Sequence, residues 1–397
     1  MNKIFLAFTV SFLLCFSWAS QAFNLSDKAE VSLLTCGPSK QVHALYGHSA
    51  IRVCDPARRV DVVFNYGVFS FSEPNFVYRF AKGQTDYLLA AEKYENFLES
   101  YRRSQRRIDE QVLNLTQSEK QELLDYLIWN AKPENREYRY NFFMDNCATR
   151  VRDVVEKHVD GKLTFSEETG LGMTFREHVD AYQRVLPWIN FGIHLTLGSP
   201  SDEIATAYQE MFLPDFLMSH FAEAQIQAEG ESRSLVKETR MIYEPEKTQK
   251  SGFQLLDPSL VLGILLVVLV LVSYKQYKQR KASLWIDYVL LFLTGLIGLV
   301  LLWFVTYSEH PAMHPNYNLW WAVPTNLVFP FLWMVRKWRP ALAWYWKALS
   351  VWLLVFFLFN LLIPQAFPFS FYLLTAMMLC RALLHSFLAL KASREVC

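Results

Sequence analysis

The chain has 397 residues, 52% hydrophobic and 16% aromatic, with 39 Lys and Arg against 38 Asp and Glu for a formal net charge of +1. That balance offers no basic surface for nucleic acid, and the length allows more than one domain. Glycine and proline are ordinary in number and no internal repeat is present, which excludes collagenous, low-complexity and solenoid chains.

At the N-terminus Lys3 precedes an apolar core from Ile4 to Phe16, and Ser20-Gln21-Ala22 supplies small residues for cleavage. This is the pattern of a secretory signal over residues 1–22. Cys15 lacks the small residue expected before a lipidated cysteine and belongs to the apolar core. The mature chain is expected to begin near Phe23, in a compartment that permits disulfides. Of six cysteines, Cys36, Cys54 and Cys147 fall in the exported part. A Cys36–Cys54 disulfide would leave Cys147 as the free thiol.

Strands are expected at Val31 to Leu34, His48 to Val53 and Val60 to Asn65, with the loop Cys54 to Arg59 turning the last two into a hairpin. If Val53 faces Val60, His48 faces Asn65. The aromatic run from Phe69 to Tyr87 is broken by Pro74 and Gly83 and reads as irregular, packing into a core or covering a groove. Arg106 to Leu115 is a further strand. Thr116 with Glu119 forms a capping box for a helix carrying Leu123, Leu124, Leu127 and Ile128, which stops before Pro133. Thr174 with Glu177 opens another helix, ending near Pro187, and one more is expected from Ser201 to the residue before Pro214. His158, His178, His194 and His220 lie in or beside these helices without metal-ligand spacing and read as structural or surface residues.

The exported domain is thus assigned to residues 23–225, a polar linker to 226–257 and a membrane domain to 258–397. Five spans are expected, at about 258–274, 284–307, 319–335, 348–363 and 367–390. Lys275, Lys278, Arg280 and Lys281 follow the first span, Arg336, Lys337, Arg339 and Lys347 the third, and Lys391 and Arg394 the fifth. The loops Ser308 to Asn318 and Pro364 to Pro368 hold no Lys or Arg. An exported N-terminal domain with a cytoplasmic C-terminus satisfies every loop. Glu309, His310 and His314 lack a third strong ligand and are interrupted by prolines. They are read as a polar loop contacting the exported domain or a lipid headgroup. Arg381 and His385, four residues apart in the last span, either face the bundle interior or snorkel to the cytoplasmic side; snorkelling is the reading adopted.

The segment Tyr140 to Asp153 carries the candidate chemistry. Asp145 and Asn146 precede Cys147, and a helical pattern (Ala148, Val151, Val154, Val155) begins at once. Either polar residue can cap that helix, placing the thiol where the macrodipole favours thiolate. A nucleophilic cysteine needs a base, and the base a group that fixes its tautomer. His48 begins a strand directly after Gly47, and the hairpin register sets Asn65 opposite as its orienting residue.

Gly47-His48-Ser49, Asn65-Tyr66-Gly67 and Asp145-Asn146-Cys147-Ala148-Thr149-Arg150 resemble a circularly permuted papain-like fold of the NlpC type, with His before Cys. More closely, the chain resembles the Lnb family of lipoprotein N-acyltransferases. Thr35-Cys36-Gly37-Pro38, Pro74-Asn75-Phe76, Gly83 and the apolar C-terminal half fit that family. The resemblance implies an α+β permuted papain-like periplasmic domain followed by an all-α five-helix transmembrane domain in the bacterial inner membrane. It implies a thiol acyltransferase without metal or cofactor: Cys147 takes an acyl chain from a membrane phospholipid and passes it to the N-terminal amine of a diacylglyceryl-cysteine lipoprotein, with His48 as base and then acid. Tyr46 and the backbone N–H of Cys147 are candidates for the oxyanion hole. Two rivals stand beside this: a membrane-tethered cysteine peptidase or amidase acting on peptidoglycan, and a non-catalytic binding module with a membrane anchor.

Overall fold

The computed structural model describes residues 23–69, 74–165, 170–228, 230–246 and 257–394. The expected signal segment 1–22 with Cys15, residues 247–256 of the expected linker, and Cys397 lie outside the described residues. In chain order the first domain contains β1 (Glu30–Cys36), β2 (His48–Asp55), β3 (Val60–Val68), α1 (Phe76–Lys82), β4 (Asp86–Lys93), α2 (Tyr94–Arg103), β5 (Ile108–Leu113), α3 (Gln117–Asn130), β6 (Glu137–Arg139) and α4 (Cys147–Lys157). It continues with β7 (Lys162–Thr164), α5 (Phe175–Gln183), α6 (Pro187–Thr196), α7 (Pro214–Glu223), β8 (Gln225–Ala228), β9 (Glu231–Ser234) and β10 (Val236–Tyr243). Seven strands form an antiparallel sheet in the order β10-β5-β1-β2-β3-β4-β6, and β7-β8-β9 form a second, smaller one.

One face of the large sheet presents Val31, Leu33, Ile51, Val53, Phe64 and Tyr66 to a core shared with α3 (Leu123, Leu124, Leu127) and α4 (Ala148, Val151, Val154, Val155). Burying each such side chain contributes roughly 1.5–3 kcal/mol, and together they hold the first turn of α4 against β2 and β3. Both expected capping boxes are present, at Thr116 with Glu119 and Thr174 with Glu177.

Several expectations are corrected. The expected linker carries β8, β9 and β10, and β10 completes the large sheet beside β5. Pro187 and Pro214, taken as marking helix ends, each open a helix at its first turn, where the missing N–H costs nothing. The stretch from Ser201 towards Pro214 holds only a short 3-10 turn and one helical turn, Ala207–Glu210. Cys36 and Cys54 are free thiols. Cys36 pairs with His48 and Cys54 with Glu30, at opposite ends of the β1–β2 ladder. Six residues of strand separate them, about 20 Å, so no disulfide can form.

The hairpin register is also displaced. Asp55 rather than Val53 faces Val60. Its buried carboxylate accepts from the N–H groups of Ala57 and Arg58 and from Ser26, so the strand runs two residues further before turning. A shift of two keeps every side chain on its expected face.

The membrane domain contains α8 (Pro258–Lys278), α9 (Leu284–Tyr307), α10 (Phe329–Met334), α11 (Arg339–Phe359) and α12 (Phe369–Arg394). Four helices are long and apolar enough to cross a membrane, at Pro258–Lys278, Leu284–Tyr307, Ala343–Leu362 and Phe369–Leu388. The expected third span, 319–335, is not a continuous helix. It consists of 3-10 turns at Tyr317–Trp320 and Pro324–Leu327 followed by the short α10. Pro324 and Pro330 remove backbone donors and break the ladder. The segment runs antiparallel along α9, where Gly298 meets Ala322, Gly295 meets Leu327 and Phe292 meets Phe331. A Cβ on Gly295 would lie 2.0 Å from the Leu327 nitrogen. Broken backbone is tolerated at membrane depth when it is buried in protein. Here buried Asn326 donates to Thr294 and accepts from Tyr345.

The two domains interlock. Asn316 and Asn318 donate to the carbonyls of His194, Leu195 and Thr196 that end α6, and Phe191 packs on Phe371 at 5.1 Å. The loop after α9 meets the end of α1: Glu309 N–H donates to Lys82, the Ser308 hydroxyl to Ala81, and His310 Nε2 to Phe80. The expected contact of this loop with the exported domain is therefore present. Snorkelling of Arg381 is not. Its guanidinium is 1% exposed and binds Asp287, Ser273, Gln276 and the Ser283 carbonyl, while His385 bonds the same Asp287 at 2.7 Å.

Candidate active site

The site is assembled from three adjacent strands and one helix start. Gly47 turns the chain into β2 with φ +82°, and a Cβ there would lie 2.6 Å from the Cys36 carbonyl, so the position requires glycine. His48 follows at once. Across the ladder, His48 Nε2 and Asn65 Oδ1 are 3.1 Å apart. The displaced register makes them diagonal neighbours on one face rather than directly opposed, and the contact survives because the shift is even. Asn65 Nδ2 in turn donates to Glu92 Oε1 on β4 at 2.6 Å. Glu92 thereby fixes the amide with its oxygen towards the imidazole. His48 Nε2 becomes the donor, leaving Nδ1 for the thiol.

Asn146 is the cap of α4. Its Oδ1 accepts from Ala148 and Thr149, and Thr149 Oγ1 accepts from the Asn146 N–H. Asp145, the other expected cap, instead forms a two-point ion pair with Arg150, whose guanidinium lies 4.2 Å over the Tyr138 ring. Since Asn146 takes the N–H groups of Ala148 and Thr149, that of Cys147 is left over at the helix start.

Cys147 is partly exposed. Burial pushes its thiol up, but the positive charge and hydrogen bond of His48, with the N–H groups of Ser49 and Ala148, outweigh that and hold it below the usual thiol value. Burial alone would lower His48, and the charge and hydrogen bond of Cys147 together with Asn65 raise it above the usual imidazole value. The pair therefore favours thiolate and imidazolium. Burial raises Glu92, against the opposing effects of His48 and Asn65.

Gly67, opposite His48 in the extended register and with φ +87°, lies beside Cys147. A Cβ there would lie 3.4 Å from Cys147 Cβ and 3.8 Å from the Tyr138 hydroxyl. That hydroxyl is buried and has no hydrogen-bond partner among the described residues. Tyr46 is placed differently from expectation. Its hydroxyl accepts from Gln183 on α5, and its ring packs on Phe142 at 4.7 Å and Tyr182 at 5.9 Å. Sequence reasoning missed Glu92 because residues 86–93 carried no strand signal of their own, and missed Tyr138 because β6 is only three residues long. The four structural histidines are each hydrogen-bonded: His158 to Val154, His178 and His220 to Glu210, and His194 to Asp180. Among the described residues no group of three or more His, Cys, Asp and Glu could hold a metal ion.

Two family models match the chain. The Lnb N-terminal periplasmic domain matches residues 17–186, and the Lnb transmembrane domain matches residues 248–393. The chain belongs to the Lnb family. As an Lnb-family member it is a membrane protein with a periplasmic α+β domain and a helical C-terminal domain. Every residue of the candidate site, from His48 to Cys147, lies within the first Lnb match. The stretch between the matches contains α6, which docks the Lnb domains together, and the strands that complete both sheets. No curated protein and no solved structure matches.

Proposed function

We propose that this Lnb-family protein is a lipoprotein N-acyltransferase working through a thioester on Cys147. The observation that carries the reading is the coupled Cys147–His48 pair, oriented by Asn65, on a domain tied to membrane spans. The Cys147 thiolate attacks an ester carbonyl of a membrane phospholipid. The carbon–sulfur bond forms, the carbon–oxygen bond to glycerol breaks, and His48 gives its proton to the departing oxygen of the lysophospholipid. The N-terminal amine of a diacylglyceryl-cysteine lipoprotein then attacks the thioester, His48 takes its proton, and the thiolate leaves. The left-over N–H of Cys147 and the Tyr138 hydroxyl are the donors proposed for both tetrahedral oxyanions, in place of Tyr46. The Lys and Arg clusters after α8, after α10 and at the C-terminus support a catalytic domain on the periplasmic side of the inner membrane and a cytoplasmic C-terminus.

Both substrates of this reaction are held in the bilayer, and a domain fastened to several spans searches for them in two dimensions. The test is expression in cells depleted of their native lipoprotein N-acyltransferase. Restored growth with triacylated lipoproteins is expected from the wild type and not from Cys147→Ser. Cleaved peptidoglycan peptides without a change in lipoprotein mass would assign the site to a peptidase instead.

A further inference from the structure

Away from the thiol, a groove of about 740 Å³ runs between α1 and the Tyr307 end of α9. Phe76, Val77 and Ala81 form one wall, and Leu299, Val300 and Trp303 the other. We propose that this groove binds the fatty acyl chain of the donor phospholipid and that the rings of Phe69, Tyr87 and Tyr140 lead from it to Cys147. The inference rests on the acyl-transfer reading of Cys147 and adds to it where the chain lies.

Three observations carry it. First, one wall belongs to a membrane span. Leu299 is eight residues from the Tyr307 end of α9, about 12 Å along the helix axis, so the groove opens at the depth of the outer acyl region. Val77 is 78% and Tyr78 55% exposed, and Phe80 is exposed beside them. Such a surface is unfavourable in water and at home against lipid, where Tyr78 packs 5.8 Å from Trp303 in an interfacial aromatic pair.

Second, the outer wall is built rather than loosely laid down. The last three carbonyls of α1 are taken by the α9 loop, as described above, and Gly83 ends the helix with φ +77° where a Cβ would press on Glu309 at 3.2 Å. The walls are thus fixed to each other by hydrogen bonds, which suits a pre-formed apolar pocket.

Third, a row of packed aromatic rings runs from the groove towards the candidate site. Phe76 stacks on Phe69 at 5.5 Å, Phe69 meets Tyr87 at 4.9 Å, and Tyr87 stacks on Tyr140 at 4.1 Å. Tyr87 belongs to the core cluster of the sheet domain, and Phe69, Tyr140 and Cys147 all pack against that cluster, so the row of rings ends in the same packed layer as the thiol. An acyl chain lying along this row brings its ester to the thiolate while its tail stays in apolar surroundings.

The test uses the full chain as Cys147→Ser, so that binding is read without turnover. The protein is reconstituted in phosphatidylethanolamine–phosphatidylglycerol vesicles carrying a phospholipid with a diazirine in one acyl chain. With the diazirine at mid-chain, peptides covering α1 and residues 299–304 are expected to label several-fold above the exposed face of α8 around Val267 and Leu271. With the diazirine beside the carbonyl, label is expected to move to Phe69, Tyr87 and Tyr140. Val300→Trp, and independently Ala81→Trp, should cut α1 labelling several-fold. Equal labelling of α1 and α8, or unchanged labelling in both tryptophan variants, would overturn the groove assignment. Because this readout needs no thioester, it is separable from the acyl-transfer reading, which stands or falls on acylation of wild-type Cys147.

Discussion

Two clusters of polar side chains, one in each domain, use similar residue types to opposite ends. In the sheet domain, Cys147, His48, Asn65 and Glu92 form a line that ends in the partly exposed Cys147, near a Tyr138 hydroxyl without a partner among the described residues and a backbone N–H that Asn146 does not cap. In the membrane domain, Asp287, Arg381 and His385 form a closed knot: both Asp287 oxygens accept from Arg381 or His385, and His385 stacks on Trp346 at 4.3 Å. The knot joins α8, α9 and α12 through Ser273, Gln276, Ser283 and Asp287, leaving the arginine no free direction. A polar cluster that saturates its own donors holds helices together. One that keeps unspent donors and an accessible nucleophile can act on a substrate.

The sharpest way to break that contrast is to remove the nucleophile or its base. Cys147→Ser or His48→Ala should reduce lipoprotein acylation on the order of 10⁴-fold or more, measured by mass spectrometry of the acceptor, with unchanged amounts of membrane-inserted protein. Next in size, Arg381→Ala should destabilise the protein by about 3–5 kcal/mol, because it strands a buried carboxylate. A thermal scan in detergent reads this, and replacing Asp287 and Arg381 together by leucine and methionine should recover much of the loss. Protein that remains folded should keep its Cys147 reactivity. Tyr138→Phe should lower the acylation rate about 10²-fold without loss of stability, since it deletes a buried hydroxyl that has no partner among the described residues.

The smallest effect is a shift in pH dependence. Cys147 lies below and His48 above their usual values, so the ion pair exists over a window wider at both ends than the free groups would give. Alkylation of Cys147 by iodoacetamide should therefore begin at lower pH than for an ordinary thiol. His48→Ala removes the positive charge and should move that limb up. Asn65→Ala removes a bond that raises His48, and should move the alkaline limit of acyl transfer down.

Much of the candidate site's geometry was legible because its residues sit beside local signals. Asn146 before an apolar helical run marked the start of α4, and Gly47 marked the start of β2. The pairing of His48 with Asn65 was reached through a register two residues out, which alternation on the strand forgives. An odd error would have turned Asn65 to the other face. Glu92 and Tyr138 were not legible, since each acts through a strand whose position depends on sheet neighbours distant in sequence. The expected Cys36–Cys54 bridge failed for the same reason: the count of cysteines says nothing of which end of a ladder each occupies. In the membrane half, hydropathy located the apolar stretches but not the break at Pro324 and Pro330. It also could not separate an arginine that snorkels from one that meets Asp287 on a helix 94 residues earlier in the chain.

The central claim is the thioester on Cys147. Purified wild-type protein incubated in phospholipid vesicles without a lipoprotein acceptor should gain the mass of one acyl chain on the peptide containing Cys147. Neutral hydroxylamine should remove it, and added diacylglyceryl-cysteine peptide should take it over. An acceptor that becomes N-acylated while Cys147 never carries the chain, or a Cys147→Ser protein that acylates as well as the wild type, would contradict the account.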